Sequence, residues 1–238
     1  MEGKRLSKAL AAAGVASRRA AEQMIFDGRV KVNGVVIRVP ETHVHWGRDQ
    51  ISVDGSLIKG EEDKVYFLLN KPAGFICSNS RPSKNSRLVI DLFPGKSSRL
   101  FTIGRLDRDT TGLLLVTNDG HFANHVIHPS SGLVKEYLVK VREEVTHEHL
   151  KKLSKGALVE DHWVRPVAVF KVRRGTFKIS VSEGKKHEVR IIVERAGLSL
   201  FELTRIRIGG FVLGSLQEGQ YRPLTSQERA LILGKSKA

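Results

Sequence analysis

The stretch Gly104-Arg105-Leu106-Asp107-Arg108-Asp109-Thr110-Thr111-Gly112-Leu113-Leu114-Leu115-Val116-Thr117-Asn118-Asp119-Gly120 decides how this chain is read. It sets one carboxylate, Asp107, in a tight turn flanked by Arg105 and Arg108, then runs into Leu113 to Thr117, an apolar segment that reads as a core strand. Asn118-Asp119-Gly120 closes that strand with turn chemistry. Gly104 and Gly112 bracket the loop, and loops held on rigid frames carry reacting groups more often than core positions do. On pattern alone, an isolated Asp in a turn is more often a backbone cap or a solvent-facing residue than a catalyst. Asp107 is thus a candidate nucleophile or base whose weight depends on its surroundings.

Downstream, a short helix is expected at Phe122-Ala123-Asn124. Glu136 to Val141 alternates as a strand with Tyr137, Val139 and Val141 on one face, which makes Tyr137 a core aromatic by default. Lys171, Arg173, Arg174, Lys178, Lys185, Lys186 and Arg190 form a basic tract divided by Phe177-Lys178-Ile179-Ser180-Val181, a spacing that suits strands around a charged rim. From Lys185 a helix is expected, because Val189, Ile192 and Val193 recur at helical steps. Phe201 to Ile208 returns to alternation. Upstream, Val65 to Leu69 reads as a buried strand, and Asn70-Lys71-Pro72-Ala73-Gly74 turns the chain, with Pro72 biasing Lys71 away from helical geometry. Ser78 to Arg87 reads as an exposed loop and Leu88 to Phe93 as a short helix stopped by Pro94-Gly95.

The chain carries 40 Lys+Arg against 25 Asp+Glu, a net charge of +15 over 238 residues. That balance favours a nucleic-acid partner over an acidic metabolite or a membrane surface. Cys77 is the single cysteine, which excludes a disulfide framework and a cysteine-based zinc site and points to a reducing compartment. No apolar run approaches the roughly 20 residues that cross a bilayer, and the basic start leads into Ala-rich sequence and not into a signal-peptide core. A cytoplasmic protein is expected, although an organellar protein stripped of its transit peptide would look the same. His43 and His45, and His121, His125 and His128, lack a supporting ligand set and read as ordinary polar or capping histidines. The glycines at 104, 112 and 120 match neither a dinucleotide nor a Walker fingerprint.

In the first sixty residues, Leu6, Leu10 and Ala13 recur at helical spacing, and Ser17 stands where a cap belongs before Arg18 to Ile25. Gly14 and Gly28 end the two helices. Val30-Lys31-Val32 and Val35-Val36-Ile37 flank Asn33-Gly34, a strong hairpin signal because both central residues tolerate positive φ. His45 to Asp54 reads as further extended chain ending at Asp54-Gly55. Arg5, Lys8, Arg18, Arg19, Arg29 and Lys31 crowd this small module, either as a phosphate-facing patch or as a solvated helix surface. The segments Arg5-Leu6-Ser7-Lys8, Ser17 to Glu22 and Gly28 to Gly34 together resemble the S4 RNA-binding domain, which implies a structured RNA partner. Gly60 to Lys64 reads as a linker.

The block Gly104 to Gly120, followed by His128-Pro129 and Lys135 to Val141, resembles the RsuA/RluB/RluE/RluF branch of the pseudouridine synthases. Asn70 to Gly74, Glu183-Gly184 with Arg190, Ile206-Arg207-Ile208-Gly209, and Gly219 to Leu224 match in the same order, so with the S4-like module the resemblance spans nearly the whole chain. It implies isomerisation of uridine to pseudouridine in RNA, with no cofactor and no required metal. It also implies that Asp107 is the essential aspartate, that Tyr137 packs on the target base, and that Arg190 pairs with Asp107. Arg105 would fill the space of the extruded base and Leu203 would line the base pocket. Lys71, Arg108, Lys185 and Lys186 are further expected RNA contacts. Covalent attack by Asp107 and proton removal leading to a glycal both remain open. One departure stands out: the family usually reads Asn-Arg-Gln before the hydrophobic residue and arginine, where this chain has Lys186-His187-Glu188. Glu188 exchanges an amide for an acceptor-only group when ionised, which bears on local RNA contacts.

The expected architecture is α+β: a small S4-like α/β domain over 1–62, a pseudouridine synthase domain over 63–234 with mixed, mainly antiparallel sheets around a catalytic cleft, and a basic tail over 235–238. A monomer acting on ribosomal RNA or a pre-ribosomal particle is expected, large-subunit RNA ahead of small-subunit RNA or tRNA. A noncatalytic RNA-binding ribosome-assembly protein is the rival reading.

Overall fold

The computed structural model describes residues 3–95 and 98–234; the expected basic tail, 235–238, lies outside the described residues. The chain divides into two compact units, one running to Val65 and taking in Asn118–Gly120, the other holding most of the remainder from Tyr66 onward.

In the first unit, helices Leu6–Ala12 and Arg18–Phe26 pack on a four-stranded antiparallel sheet built from Val30–Val32, Val35–Val36, Ile51–Val53 and Ser56–Ile58. Ser17 caps the second helix, its side chain accepting from the Ala20 N–H at 3.1 Å. The hairpin at Asn33-Gly34 forms with φ of 52° and 82°, as its residues allow. Leu6, Leu10, Ile25, Val30 and Ile51, all fully buried, form the core of this unit. The stretch from His45 differs from its expected extended form, since a turn fills 45–50 and the strand begins only at Ile51. The Asp49 carboxylate accepts from the His45 N–H at 2.7 Å and from Asn33 Nδ2 at 2.9 Å, which stabilises that turn. The expected linker is tied down as well: Glu61 binds Lys4 and Trp46 Nε1, and the Glu62 N–H donates to Ala12 O at 3.0 Å.

The second unit is organised by a nine-stranded mixed sheet. Its main path runs Ala168–Arg173, Thr176–Val181, Lys135–Val141, Leu200–Ile208, Thr111–Thr117, Tyr66–Lys71, Tyr221–Pro223; Phe101–Ile103 joins alongside Thr111–Thr117, and Phe211–Val212 alongside Leu200–Ile208. All its pairings are antiparallel except that of Thr111–Thr117 with Leu200–Ile208. Helices Gly120–Ile127 and Ser226–Ile232 help cover one face, burying Leu68, Leu113, Leu115, Phe122, Val126 and Ile232. The first of these helices is longer than Phe122-Ala123-Asn124 alone suggests. Leu88 to Phe93 instead splits into a two-residue strand, Arg87–Leu88, and a 3-10 turn, Val89–Leu92.

Two local features of this sheet place the side chains that matter. At Gly112 the strands approach so closely that a Cβ would lie 2.3 Å from Arg205 O, and φ is +101°, so only glycine fits. A β-bulge between Glu136 and Tyr137 pairs Glu136 with Arg207 but Tyr137 with Arg205. The extra residue, Ile206, lies on Leu200–Ile208 and reverses the facing of that strand, so Arg207 lies with Glu136 on one face and Arg205 with Tyr137, Val139 and Leu203 on the other.

Candidate active site

The loop from Gly104 to Thr110 joins two antiparallel strands and is anchored at both shoulders. Leu106 is buried and its N–H points at Cys77 Sγ at 3.4 Å; Thr110 is buried and its N–H donates to Asp107 O at 3.1 Å. Asp107, between these anchors, keeps its carboxylate partly exposed. Arg190, two residues into helix Glu188–Arg195, donates from Nε to Asp107 Oδ2 at 3.1 Å and from Nη2 to Thr110 Oγ1 at 2.9 Å. One guanidinium therefore holds both the carboxylate and the turn that carries it. His187 Nε2 lies 3.3 Å from the other carboxylate oxygen, Oδ1.

Lys71 requires a correction. It was expected to face RNA, but its side chain is fully buried and Nζ donates to Pro72 O at 3.0 Å, Arg108 O at 3.0 Å and Thr110 O at 2.8 Å. Burial pushes its ammonium below the usual lysine pKa, against the pull of Cys77, Asp109, Asp107 and Glu218. The lysine pins the backbone on the far side of Asp107, and it does so without touching solvent.

Tyr137 is nearly buried, and burial raises its phenol pKa, so the ring is neutral over the ordinary pH range; the adjacent Arg205 pulls the other way. Arg205 is 5% exposed, donates from Nε to Leu113 O at 2.8 Å, and leaves Nη2 without a hydrogen-bond partner among the described residues. Sequence reading passed over this residue, because an arginine in an alternating strand carries no sign of which face a bulge will give it. Leu203 is buried across from Val139 on the same face.

Arg105 and Arg108 are exposed beside Asp107, and Lys186 is exposed beside His187. Lys185 is half-buried and pairs with Glu183 at 3.4 Å. The helix expected from Lys185 begins at Glu188, because His187 adopts a left-handed conformation with φ 58°. Glu188 points inward: it is 4% exposed, accepts from the Lys185 N–H at 3.3 Å, and burial pushes its pKa up to about 7 against the pull of that hydrogen bond and of Lys135. This residue thus shapes the turn and does not present an acceptor to RNA.

In the first unit Arg5, Lys8, Arg19 and Lys31 are exposed with no acidic partner among the described residues, whereas Arg18 pairs with Glu22 at 3.2 Å and Arg29 grips Asp54 through Nε at 2.9 Å and Nη2 at 2.5 Å. Among the described residues no group of three or more His, Cys, Asp and Glu is arranged to hold a metal ion, and no helix is long and apolar enough to cross a membrane.

A carboxylate gripped by arginine on a mixed sheet, beside a buried tyrosine, is the arrangement that the resemblance to the pseudouridine synthases implies. Comparisons with known proteins agree. Residues 65–195 match the family model described as RNA pseudouridylate synthase, and residues 4–59 match that of the S4 domain. The chloroplastic protein SVR1 of Arabidopsis thaliana is 47% identical over 230 residues, covering 89% of this chain and 56% of that protein's length. Ribosomal large subunit pseudouridine synthase B of Bacillus subtilis is 40% identical over 230 residues, covering 94% of this chain and 93% of its own. A crystal structure of a pseudouridylate synthase superposes with a TM-score of 0.69 at 31% identity, covering 96% of this chain and 99% of the other. The chain belongs to the RNA pseudouridine synthase family of the RsuA/RluB type, with an N-terminal S4 domain.

Proposed function

We propose that this protein isomerises a specific uridine of ribosomal RNA, in the large subunit, and that Asp107 is the group that reacts with the nucleoside. The observation carrying this reading is the Asp107 carboxylate presented by an anchored turn and oriented by Arg190. The choice of large-subunit RNA is supported by what the Bacillus subtilis relative is named for.

The chemistry makes definite demands. The target base leaves the RNA stack, at an unpairing cost of a few kcal/mol; Arg105, exposed beside Asp107, fills the vacated space on this reading. Asp107 then either bonds to C1′ as the N1–C1′ bond breaks or removes the C2′ proton to start a glycal route. The detached uracil turns and a C5–C1′ bond forms as the Asp107–C1′ bond breaks or, on the glycal route, as C2′ regains its proton from Asp107; C5 loses its proton and N1 ends protonated, so no atom is gained or lost. Tyr137 offers a neutral aromatic face for the uracil and Leu203 an apolar wall. The unpaired cations of the first unit supply sequence-independent attraction for the phosphates. The protein acts as a monomer in the cytoplasm on this reading.

The test uses purified protein on transcripts of large-subunit RNA, small-subunit RNA and tRNA, alongside pseudouridine maps of RNA from cells with and without the gene. One large-subunit site that depends on the gene supports the proposal. RNA binding without pseudouridine in any transcript favours the ribosome-assembly reading.

A further inference from the structure

We propose that His187 is a positioning residue for Asp107, a second clamp that fixes the free edge of the carboxylate opposite Arg190; this rests on Asp107 being the reacting group. Three observations converge. His187 Nε2 lies 3.3 Å from Asp107 Oδ1 while Arg190 Nε holds Oδ2 at 3.1 Å, so each carboxylate oxygen has its own nitrogen partner. His187 reaches that place only because its backbone is left-handed, φ 58°, a conformation that costs most side chains on the order of 1 kcal/mol or more and that clusters at functional sites. And the turn that imposes this conformation is locked from within: buried Glu188 accepts the Lys185 N–H, and the Ile191 N–H returns to His187 O at 3.0 Å.

The geometry has a clear consequence for the carboxylate. With Arg190 alone, Asp107 is free to pivot about its hydrogen bond, and Oδ1 sweeps an arc. A ring nitrogen set against Oδ1 from the same helix start that carries Arg190 restricts the carboxylate plane, which is the kind of restraint that holds a reacting atom at attack distance. The imidazole is half-exposed, so it restrains the carboxylate without sealing Oδ1 from an approaching nucleotide. Such a residue acts through Asp107 and therefore alters turnover more than RNA affinity. A histidine that served as a phosphate contact would do the opposite.

The test is single- and multiple-turnover kinetics of full-length His187→Gly and His187→Arg on the substrate transcript, with Asp107→Asn measured in parallel. Glycine keeps the left-handed backbone and removes the imidazole; arginine returns a donor of sufficient reach. The proposal expects His187→Gly to lower kcat on the order of 10- to 100-fold with KM little changed, and His187→Arg to recover much of the loss. A raised KM with unchanged kcat, or no change in either, overturns it. Should His187→Gly lose its folded transition, His187→Asn decides: asparagine tolerates the backbone but is too short to reach Oδ1, so wild-type kcat in that variant also overturns the proposal. If Asp107→Asn itself turns over, the functional reading fails; if Asp107→Asn is inactive while His187→Gly is normal, the clamp alone fails.

Discussion

Arg190 grips Asp107 and Thr110 at once, Nε to Oδ2 at 3.1 Å and Nη2 to Oγ1 at 2.9 Å, across about eighty residues of chain. The fork shape of guanidinium makes that double contact possible, and an ammonium has no equivalent. Arg190→Lys is therefore expected to lower kcat on the order of 10- to 100-fold, and Arg190→Ala by more, with gel-shift affinity for the transcript largely kept. A lysine variant with full turnover would show that charge alone suffices.

Lys71 offers a test of stability and placement together. Lys71→Met removes the ammonium donor from the carbonyls of Pro72, Arg108 and Thr110, of which Arg108 O keeps the Gly74 N–H while buried Thr110 O loses its side-chain partner. The loss is expected to be about 3 kcal/mol or more in urea unfolding, together with lower kcat from a displaced Asp107 loop. Had the lysine served as an RNA contact, affinity would fall while the urea midpoint stayed fixed.

Gly112 makes a sharper steric case. A Cβ there meets the backbone of Arg205 at 2.3 Å with φ at +101°, so Gly112→Ala must part the two strands. A cost of about 3 kcal/mol or more is expected, read as a lowered melting temperature. A melting temperature within error of wild type would refute the close approach of Thr111–Thr117 to Leu200–Ile208.

How much of this was legible in the sequence depended on whether the signal was local. The Asn33-Gly34 hairpin, the Ser17 cap and the Leu113 to Thr117 strand follow from neighbouring residues, and they formed as expected. Asp107 is a candidate from its turn alone, its pairing with Arg190 comes from resemblance, and the fold brings the two together. Lys71 was misread because a basic residue beside a turn looks solvent-facing until three distant carbonyls converge on it. Arg205 was missed because the bulge at Glu136/Tyr137, invisible to a period-two pattern, sets its face. The helix start slipped from Lys185 to Glu188 because the left-handed His187 breaks a pattern that its side chains otherwise continue.

Glu188 gives a pH dependence with a definite sign. Its folded pKa is raised from 4.5 to about 7, so the folded state holds a proton that the unfolded chain releases. Its contribution is complete below about pH 4.5 and is lost as pH rises through about 7. Glu188→Gln, which stays neutral, is expected to melt at a higher temperature than wild type at pH 8 and to converge with it near pH 4.5. A temperature difference that does not vary with pH would show that the carboxyl is solvated.

The first unit separates free from committed cations. Arg5, Lys8, Arg19 and Lys31 lack acidic partners among the described residues, while Arg29 is held by Asp54 and Arg18 by Glu22. Replacing any of the first four with glutamine should weaken RNA binding and reduce the salt slope by about 1 where that residue meets a phosphate. Arg29→Gln should change the slope less, as measured by fluorescence anisotropy over a salt series. Equal slopes for all variants would place the RNA elsewhere.

The most direct measurement of the central claim is pseudouridine formation by Asp107→Asn on a transcript that the wild-type protein modifies, with binding followed on the same sample. Asparagine preserves size and hydrogen-bonding reach but has no charged oxygen to attack or to take a proton. The expected result is RNA bound with near wild-type affinity and no pseudouridine above background. Turnover by the variant at the wild-type rate would contradict the account, because Asp107 would then have no part in the chemistry.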